Sequence, residues 1–382
     1  MNLSERLQSV RKRAGLTQRE LAGLSGVSIS LIRKLEQGER EDTRLETLRK
    51  LAMGLQVPTS VLIAGRRDQG ETVQEWEALR DSLLGKHEQS EDPPTLEGVG
   101  RAVAAAEPLF TDNKYADLGI LLPSLVRDAD ALGMPGRRVR SRVMHLAGLV
   151  LISTRQFDAA EIALRRAFDD ATGRLEEAAI VNTRCWLLMR QGDLPGTLAL
   201  ASRWADDIEP RISRATQEEL AAWGGLLLRV STAASRNNEP GKAEDALRLA
   251  QAAAVILRIE WAPPSDPLRT FGPIAVATRR IENHMVEDRP DRVLALSEKI
   301  PRTGPRARAS SRNRHRLDVA KANVSLKRYG DAFEILQEVR AVSPEWIAHQ
   351  RMARDVLGRI VRKRRSLTPE MREMADYIGL DY

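Results

Sequence analysis

Four short segments within the first 56 residues place apolar positions at helical spacing. Ser4, Thr17 and Ser28 stand where N-cap side chains are expected, and Gly15 and Gly38 follow segments as helix-ending residues do. The pattern predicts helices over about 4–14, 18–24, 29–37 and 45–55. The residues expected in their shared core are Leu7, Leu16, Leu21, Ala22, Val27, Ile32, Leu35, Leu48, Leu51 and Ala52.

The second and third predicted helices are joined only by the residues 25–27, which is too short a link for two parallel helices. Such a short turn projects the third helix outward, so that it can enter the major groove of DNA. On spacing alone, a small helical domain without a DNA role stays open. The residues expected on the outward face are Ser28, Ile29, Ser30, Arg33, Lys34 and Gln37.

The stretches 15–22 (GLTQRELA), 26–28 (GVS), 32–38 (IRKLEQG) and 48–52 (LRKLA) resemble the Cro/C1-type (XRE) helix-turn-helix family. The resemblance covers residues 1–65 without a gap. It implies a lambda-repressor-like domain that binds double-stranded DNA. Since so small a module buries little area on DNA, a homodimer with two copies is expected.

The resemblance also implies roles for individual residues. Gln18 would touch the DNA backbone and a base edge, and Arg11 and Glu36 would form a structural ion pair. Ile29 departs from better-known members, because isoleucine cannot hydrogen-bond a base and meets only a thymine methyl group. The operator sequence therefore does not transfer. The predicted DNA-binding residues are Arg11, Gln18, Ser28, Ile29, Ser30, Arg33, Lys34, Gln37 and Arg44, of which Ile29, Ser30 and Lys34 face bases and Arg11, Gln37 and Arg44 face phosphates.

Residues 66–94 are predicted to be a linker that contains a short amphipathic helix. Its apolar stripe includes Trp76, Leu79 and Leu83, and we expect it to pack on a neighbouring domain rather than to mediate dimerisation alone. A polar, proline-containing stretch, 85–94, follows this helix.

Residues 95–382 repeat a pattern of two helices with a small residue early in the second. The clearest units place Gly148 before Ala160 and Leu164, and Ala320 before Ala332 and Leu336. Looser units centre on 106–118, 194–201, 243–250 and 293–296. This region resembles tetratricopeptide (TPR) superhelices, so the predicted fold class is all-α, with a helix-turn-helix domain followed by a TPR-like α-solenoid.

A TPR-like array implies a concave surface that is lined by first helices and takes a peptide or helix. Ordinary solvated helix surface is the alternative for each residue. The residues predicted to project there are His145, Asn182, Trp186, Arg190, Thr232, Glu282 and Lys321.

The formal charge of +7 suits an anionic partner. Two arginine-rich stretches, 302–316 and 362–365, are expected to be solvated surface, with extra DNA contact or anionic-ligand binding as alternatives. One cysteine, Cys185, excludes an intrachain disulfide, and the sequence shows no apolar signal core or membrane span. We expect a cytoplasmic, nucleoid-associated protein without membrane contact.

The five histidines show no metal-ligand spacing, and Gly241-Lys242 lacks the upstream glycine of a phosphate loop. We therefore expect no enzyme activity, cofactor or metal. The sequence predicts a DNA-binding transcription regulator whose body dimerises and senses a peptide, small molecule or protein partner. The alternative is a DNA-bound scaffold that recruits a protein without any change in DNA affinity.

Overall fold

A computed structural model describes residues 3–39, 43, 45–57, 62, 76–86, 94–301, 309–364 and 366–380. Within these ranges the regular structure is helical, apart from two short 3-10 turns and a single β-bridge between Trp261 and Phe271. The predicted all-α class, a helix-turn-helix domain followed by a helical-repeat solenoid, is confirmed.

The N-terminal domain consists of helices α1 (Leu3–Arg13), α2 (Gln18–Ser25), α3 (Ile29–Glu36) and α4 (Leu45–Gly54). Thr17 forms a capping box with Glu20, and Ser28 Oγ accepts a hydrogen bond from the Leu31 amide. Gly26 ends α2 with φ +65°, in the left-handed region that glycine adopts without strain. The four predicted helices are present, and side-chain caps mark where α2 and α3 begin. Ser4, predicted as an N-cap, instead lies inside α1 and donates its hydroxyl to the Glu36 carbonyl at 2.6 Å.

The C-terminal body begins with α5 and continues as six consecutive helical hairpins. Each of the six predicted repeat units coincides with one hairpin. In chain order the helices are α5 (Glu77–Leu83), α6 (Leu96–Thr111), α7 (Tyr115–Ala131), α8 (Arg137–Ser153), α9 (Phe157–Asp169), α10 (Arg174–Gln191), α11 (Leu194–Asp207), α12 (Gln217–Arg236), α13 (Pro240–Leu257), α14 (Pro273–Val286), α15 (Pro290–Ser297), α16 (Ala309–Ser325), α17 (Tyr329–Val342), α18 (Pro344–Ala348), α19 (Arg351–Val361) and α20 (Pro369–Tyr377).

Helix α5 packs on the body, as its apolar stripe predicted. Trp76, Leu79 and Leu83 are buried in the same core as the first hairpins. Arg166 on α9 donates a hydrogen bond to the Leu83 carbonyl at 2.9 Å. Within the predicted linker, the described residues 76–86 are therefore part of the folded body, while 66–75 and 87–93 lie outside the described residues.

The solenoid returns on itself, so that its last helices pack against its first hairpin. The Ala116 amide donates to Glu345 Oε2 at 2.8 Å, and Asn113 Nδ2 donates to Ser343 Oγ at 3.3 Å. The rings of Tyr115 and His349 meet edge to face, with centroids 6.1 Å apart. These contacts join residues more than two hundred positions apart and curl the helical array around a central space.

The N-terminal domain contacts the body through α4. Arg49 Nη1 donates a hydrogen bond to the Val286 carbonyl at the end of α14. Lys50 Nζ lies 3.1 Å from Asp288 Oδ2 and forms an ion pair with it. Leu194, at the start of α11, is fully buried within the core of the N-terminal domain. The domain therefore contacts the start of α11 and the turn between α14 and α15.

Gly224 on α12 allows a close approach by Phe271. A Cβ atom at this glycine would stand 2.0 Å from Phe271 Cζ, which no real contact permits. We expect Gly224→Ala to lower the free energy of unfolding by about 1–3 kcal/mol through overpacking. Gly241→Ala is the matched control, because a Cβ there meets nothing within 4 Å. Urea denaturation of both variants checks this, and equal stability of the two would contradict the contact.

Candidate functional site

Helix α3 has one buried side and one exposed side. Ile32 and Leu35 are fully buried in the core of the N-terminal domain. The opposite side consists of polar or basic side chains that reach solvent, as the spacing predicted. The exposed residues of this helix and its caps are Ser28, Ser30, Arg33, Lys34 and Gln37, while Ile29 is partly exposed.

A buried ion pair holds α1 against α3. Arg11 Nε and Nη2 donate to the two carboxylate oxygens of Glu36 at 2.6 and 2.8 Å, and Arg11 Nη1 donates to the Leu16 carbonyl at 2.7 Å. The structural ion pair expected from the resemblance is therefore present. A phosphate contact by Arg11 stays a prediction, but all three guanidinium nitrogens already have partners inside the domain.

Gln18, the first residue of α2, joins the same network. Its Nε2 donates to Glu36 Oε2 at 2.8 Å, which orients the side-chain amide. Burial alone raises the pKa of Glu36, but hydrogen bonds from Arg11 and Gln18 and the charge of Arg11 outweigh it, so the pKa is lowered overall. Glu36 is therefore ionised at neutral pH and holds both residues in place. Arg44 lies outside the described residues.

The body encloses a second candidate site, a partly enclosed cavity of about 510 Å³. Most of its lining comes from the first helices of consecutive hairpins, α8, α10, α12, α14 and α16, as a TPR-like array predicts. Arg49 of the N-terminal domain also lines it. Six of the seven predicted ligand-binding residues reach this cavity, namely Asn182, Trp186, Arg190, Thr232, Glu282 and Lys321.

His145 is the exception and does not line the cavity. It is buried between α8 and α10, where its Nε2 lies 2.8 Å from Thr183 Oγ1. The prediction failed because the register of α8 places this position toward the neighbouring first helix. Leu149 and Ser153, one and two turns farther along α8, line the cavity instead.

A network of charges, the Glu282 cluster, crosses one wall of the cavity. It consists of Arg236, Arg279, Arg314, Glu282 and Asp318. The Glu282 carboxylate accepts from Arg236 and Arg279, and Arg314 Nη2 approaches it at 3.3 Å. Burial raises the pKa of Glu282, but the three arginine charges lower it well below its ordinary value, whereas burial raises the pKa of Asp318.

Arg229 lies beside this cluster on α12 and is 7% exposed. Its Nε donates to Asn182 Oδ1 at 2.8 Å, and no described carboxylate forms an ion pair with it. Its neighbours Arg269 and Arg279 carry like charges. Burial first, and then these two charges, bring the pKa of Arg229 well below its ordinary value. Asn182, predicted to bind an extended peptide, is thus engaged by an arginine of the body.

Arg229 was not among the site residues predicted from the sequence. A signal was available, because Arg229 interrupts the apolar run Leu226-Leu227-Leu228 and Val230, and a charge inside such a run is seldom fully buried unless paired. Arg314 was predicted only as part of a basic stretch, whose members at 302–308 lie outside the described residues. No signal in the sequence pointed to Arg49, since its contact depends on how α4 meets α14.

Other chemistry is sparse in the described part of the chain. Burial raises the pKa of the Cys185 thiol to about 12, so it is unreactive at neutral pH. The described residues hold no group of histidine, cysteine and carboxylate side chains that suits a metal ion. None of the described helices is both long and apolar enough to cross a membrane.

Comparison with known proteins bears on the N-terminal part of the chain. Residues 2–62 match a family model described as a helix-turn-helix domain. A search of curated proteins finds no match. The matched range contains the capping box, the left-handed turn at Gly26 and the exposed side of α3. The N-terminal region of this protein is a helix-turn-helix domain, which indicates binding to DNA.

Proposed function

We propose that this protein is a sequence-specific transcription regulator of the XRE type, with a TPR-like body that dimerises and senses a ligand or partner. The observation that carries the proposal is the exposed polar side of α3 within a matched helix-turn-helix domain. Ser30 and Lys34 on that side would then meet base edges in the major groove. The protein is not proposed to be an enzyme, and its site of action is the nucleoid.

Dimerisation is supported by the size of the DNA-binding domain and by the outer surface of the body. A single small domain buries modest area on DNA, so that two half-sites are needed for useful affinity. Helix α13 and the residue after its C-cap leave apolar side chains exposed, which suits a second copy of the chain. These residues are Leu249, Val255, Ile256 and Ile259.

Sensing is supported by the position of the DNA-binding domain beside the cavity. Arg49 lines the cavity and also bonds the last carbonyl of α14, and α14 carries Arg279 and Glu282 in the cavity wall. A ligand that favours one position of α14 over another would also favour one position of the DNA-binding domain. Ligand and operator affinities would then be coupled.

The experiment that tests DNA recognition is genome-wide footprinting of the wild-type protein and of Lys34→Ala. We expect wild-type footprints that contain two half-sites with their centres about 10 base pairs apart or a multiple of it. Lys34→Ala should bind the operator about 5- to 150-fold more weakly. Lys86→Ala is the control, since that exposed lysine lies on the body. Unchanged footprints with Lys34→Ala would contradict docking through α3.

The alternative is that the body recruits a protein to DNA without a change in DNA affinity. The exposed apolar side of α13 then binds that protein rather than a second copy. Sedimentation of the protein, free and bound to DNA, decides whether a second copy or another protein covers α13. A monomer that binds single half-sites contradicts the dimer. A stable partner that leaves operator affinity unchanged would favour the scaffold.

A further inference from the structure

Cationic side chains outnumber anionic ones in the described lining of the cavity. Ten arginines and one lysine line it among the described residues, against three carboxylates, Glu282, Asp318 and Asp355. Glu282 and Asp318 are already engaged within the Glu282 cluster. A concave, low-dielectric surface with such an excess focuses its field on whatever enters, and it favours anions.

Arg229 is the point at which this imbalance is sharpest. Its side chain is buried, its described hydrogen bond goes to a neutral amide, and Arg269 and Arg279 each repel it more strongly than Glu282 attracts it. Arg269 is different, because it pairs with Asp266 at 3.1 Å. A buried charge that its surroundings repel on balance, without an ion-pair partner, is strongly unfavourable for folding. An anion that enters the cavity from solvent would compensate the charge of this arginine.

The rest of the lining indicates what the anion is attached to. Five aromatic side chains line the cavity, and three of them, Phe110, Tyr115 and Trp346, come from the helices that close the ring. The volume of about 510 Å³ lies within the range typical of small-molecule sites. Because closure through Glu345 and Ala116 joins the ends of the solenoid, the space suits a compact molecule better than an extended chain.

We propose that the cavity binds a small organic anion, a carboxylate or phosphate on an aromatic or similarly apolar body, with Arg229 as its anchoring residue. The anion accepts charge-assisted hydrogen bonds from the Arg229 guanidinium. The apolar body packs against the aromatic side chains of the ring closure. The inference deepens the sensing role under the proposed function and names the class of its ligand.

Replacing Arg229 by methionine is expected to move stability and binding in opposite directions. Methionine keeps much of the volume of the arginine stem and removes the unbalanced charge, so the ligand-free melting temperature should rise by about 2 °C. Affinity for the anion should fall at least about 30-fold. An arginine with a merely structural role would instead lower the melting temperature when it is replaced. Arg101→Met, at an exposed position of α6, is the matched control.

Binding is measured by titration calorimetry on the full chain with three probes that share one ring system. These are 2-naphthoate, 1-naphthyl phosphate and 2-naphthamide. We expect saturable binding of at least one anion and none of the neutral amide, and the tighter anion identifies the head group. Trp186 and Trp346 line the cavity, so their fluorescence reports occupancy independently. Equal binding of amide and carboxylate, or no saturable binding of either anion up to about 1 mM, would overturn the proposal.

A second variant and a second readout keep the outcomes separate. Arg229→Lys keeps the charge but loses the planar fork, so weaker yet measurable anion binding is expected if the arginine is the anchor. Operator affinity is then measured with and without the bound anion. Anion binding that leaves operator affinity unchanged would refute the proposed switch and leave this inference intact. Intact operator binding without anion binding would refute this inference alone.

Discussion

Replacing Glu36 by leucine is expected to destabilise the helix-turn-helix domain by about 3–5 kcal/mol. The substitution leaves the Arg11 guanidinium buried with no carboxylate, and it removes the acceptor of the Gln18 side chain. A domain of this size has a small core and little stability to spare. Operator binding should therefore be lost near the growth temperature. Thermal unfolding followed by circular dichroism, together with operator titration, measures both effects.

The matched control is the double variant Arg11→Met/Glu36→Leu. Replacing a buried ion pair by apolar side chains of similar volume is often neutral or stabilising, so most of the lost stability should return. Recovery in the double variant would show that the unpaired charge, rather than the lost bond, causes the damage. If the single variant is as stable as the wild type, the ion pair does not hold α1 against α3.

The same network gives the domain a pH dependence with a defined sign. The pKa of Glu36 in the folded domain lies below its ordinary value of 4.5. Its contribution to stability is therefore fully present above pH 4.5 and is lost as the pH falls through the lowered pKa. The double variant lacks this contribution, so its stability should fall less in the same acid range. Parallel acid titrations of the two proteins test this, and identical acid midpoints would count against it.

Replacing Trp76 by alanine is expected to cost about 3 kcal/mol, the lower end of the range for a buried tryptophan. Trp76 is 4% exposed and packs beside Gly119, where a Cβ atom would touch its ring at 3.4 Å. Its indole nitrogen is buried with no hydrogen-bond partner among the described residues, which offsets part of the packing energy. Loss of the Trp76 side chain should release α5 from α7 and α9.

Hydrogen exchange over residues 76–86 is the measurement that isolates this effect. Protection there should fall in Trp76→Ala while the hairpins of the body stay protected. Trp76→Phe is the sharper control, since it keeps an aromatic ring and removes the unpaired indole N–H, and it should stay within about 1 kcal/mol of the wild type. Leu84→Ala, at an exposed position beside the same helix, should change nothing. Unaltered exchange in Trp76→Ala would show that α5 docks by other contacts.

Local signals in the sequence were sufficient to predict the helices of the N-terminal domain and of the C-terminal body. Thr17 with Glu20, Gly26 and Ser28 act over two to four residues, so the boundaries of α2 and α3 follow from near neighbours. The same holds for the six hairpins of the body, because a small residue such as Gly148 admits the facing Leu164 within one repeat. The lining of the cavity by first helices was likewise predictable from periodicity, with His145 as the exception.

Only the tertiary structure decided what those helices enclose. Closure of the ring through Ala116 and Glu345 depends on the sum of small rotations between repeats, and no single repeat encodes that sum. The imbalance around Arg229 exists only because α12, α14 and the loop between α13 and α14 bring distant charges together. The contact of the DNA-binding domain with the body, from Arg49 to Val286, likewise joins residues 237 positions apart. The sequence by itself determined the helix-turn-helix with its exposed polar side and the repeated hairpins, because these rest on near neighbours. The cavity and its charge rest on long-range packing.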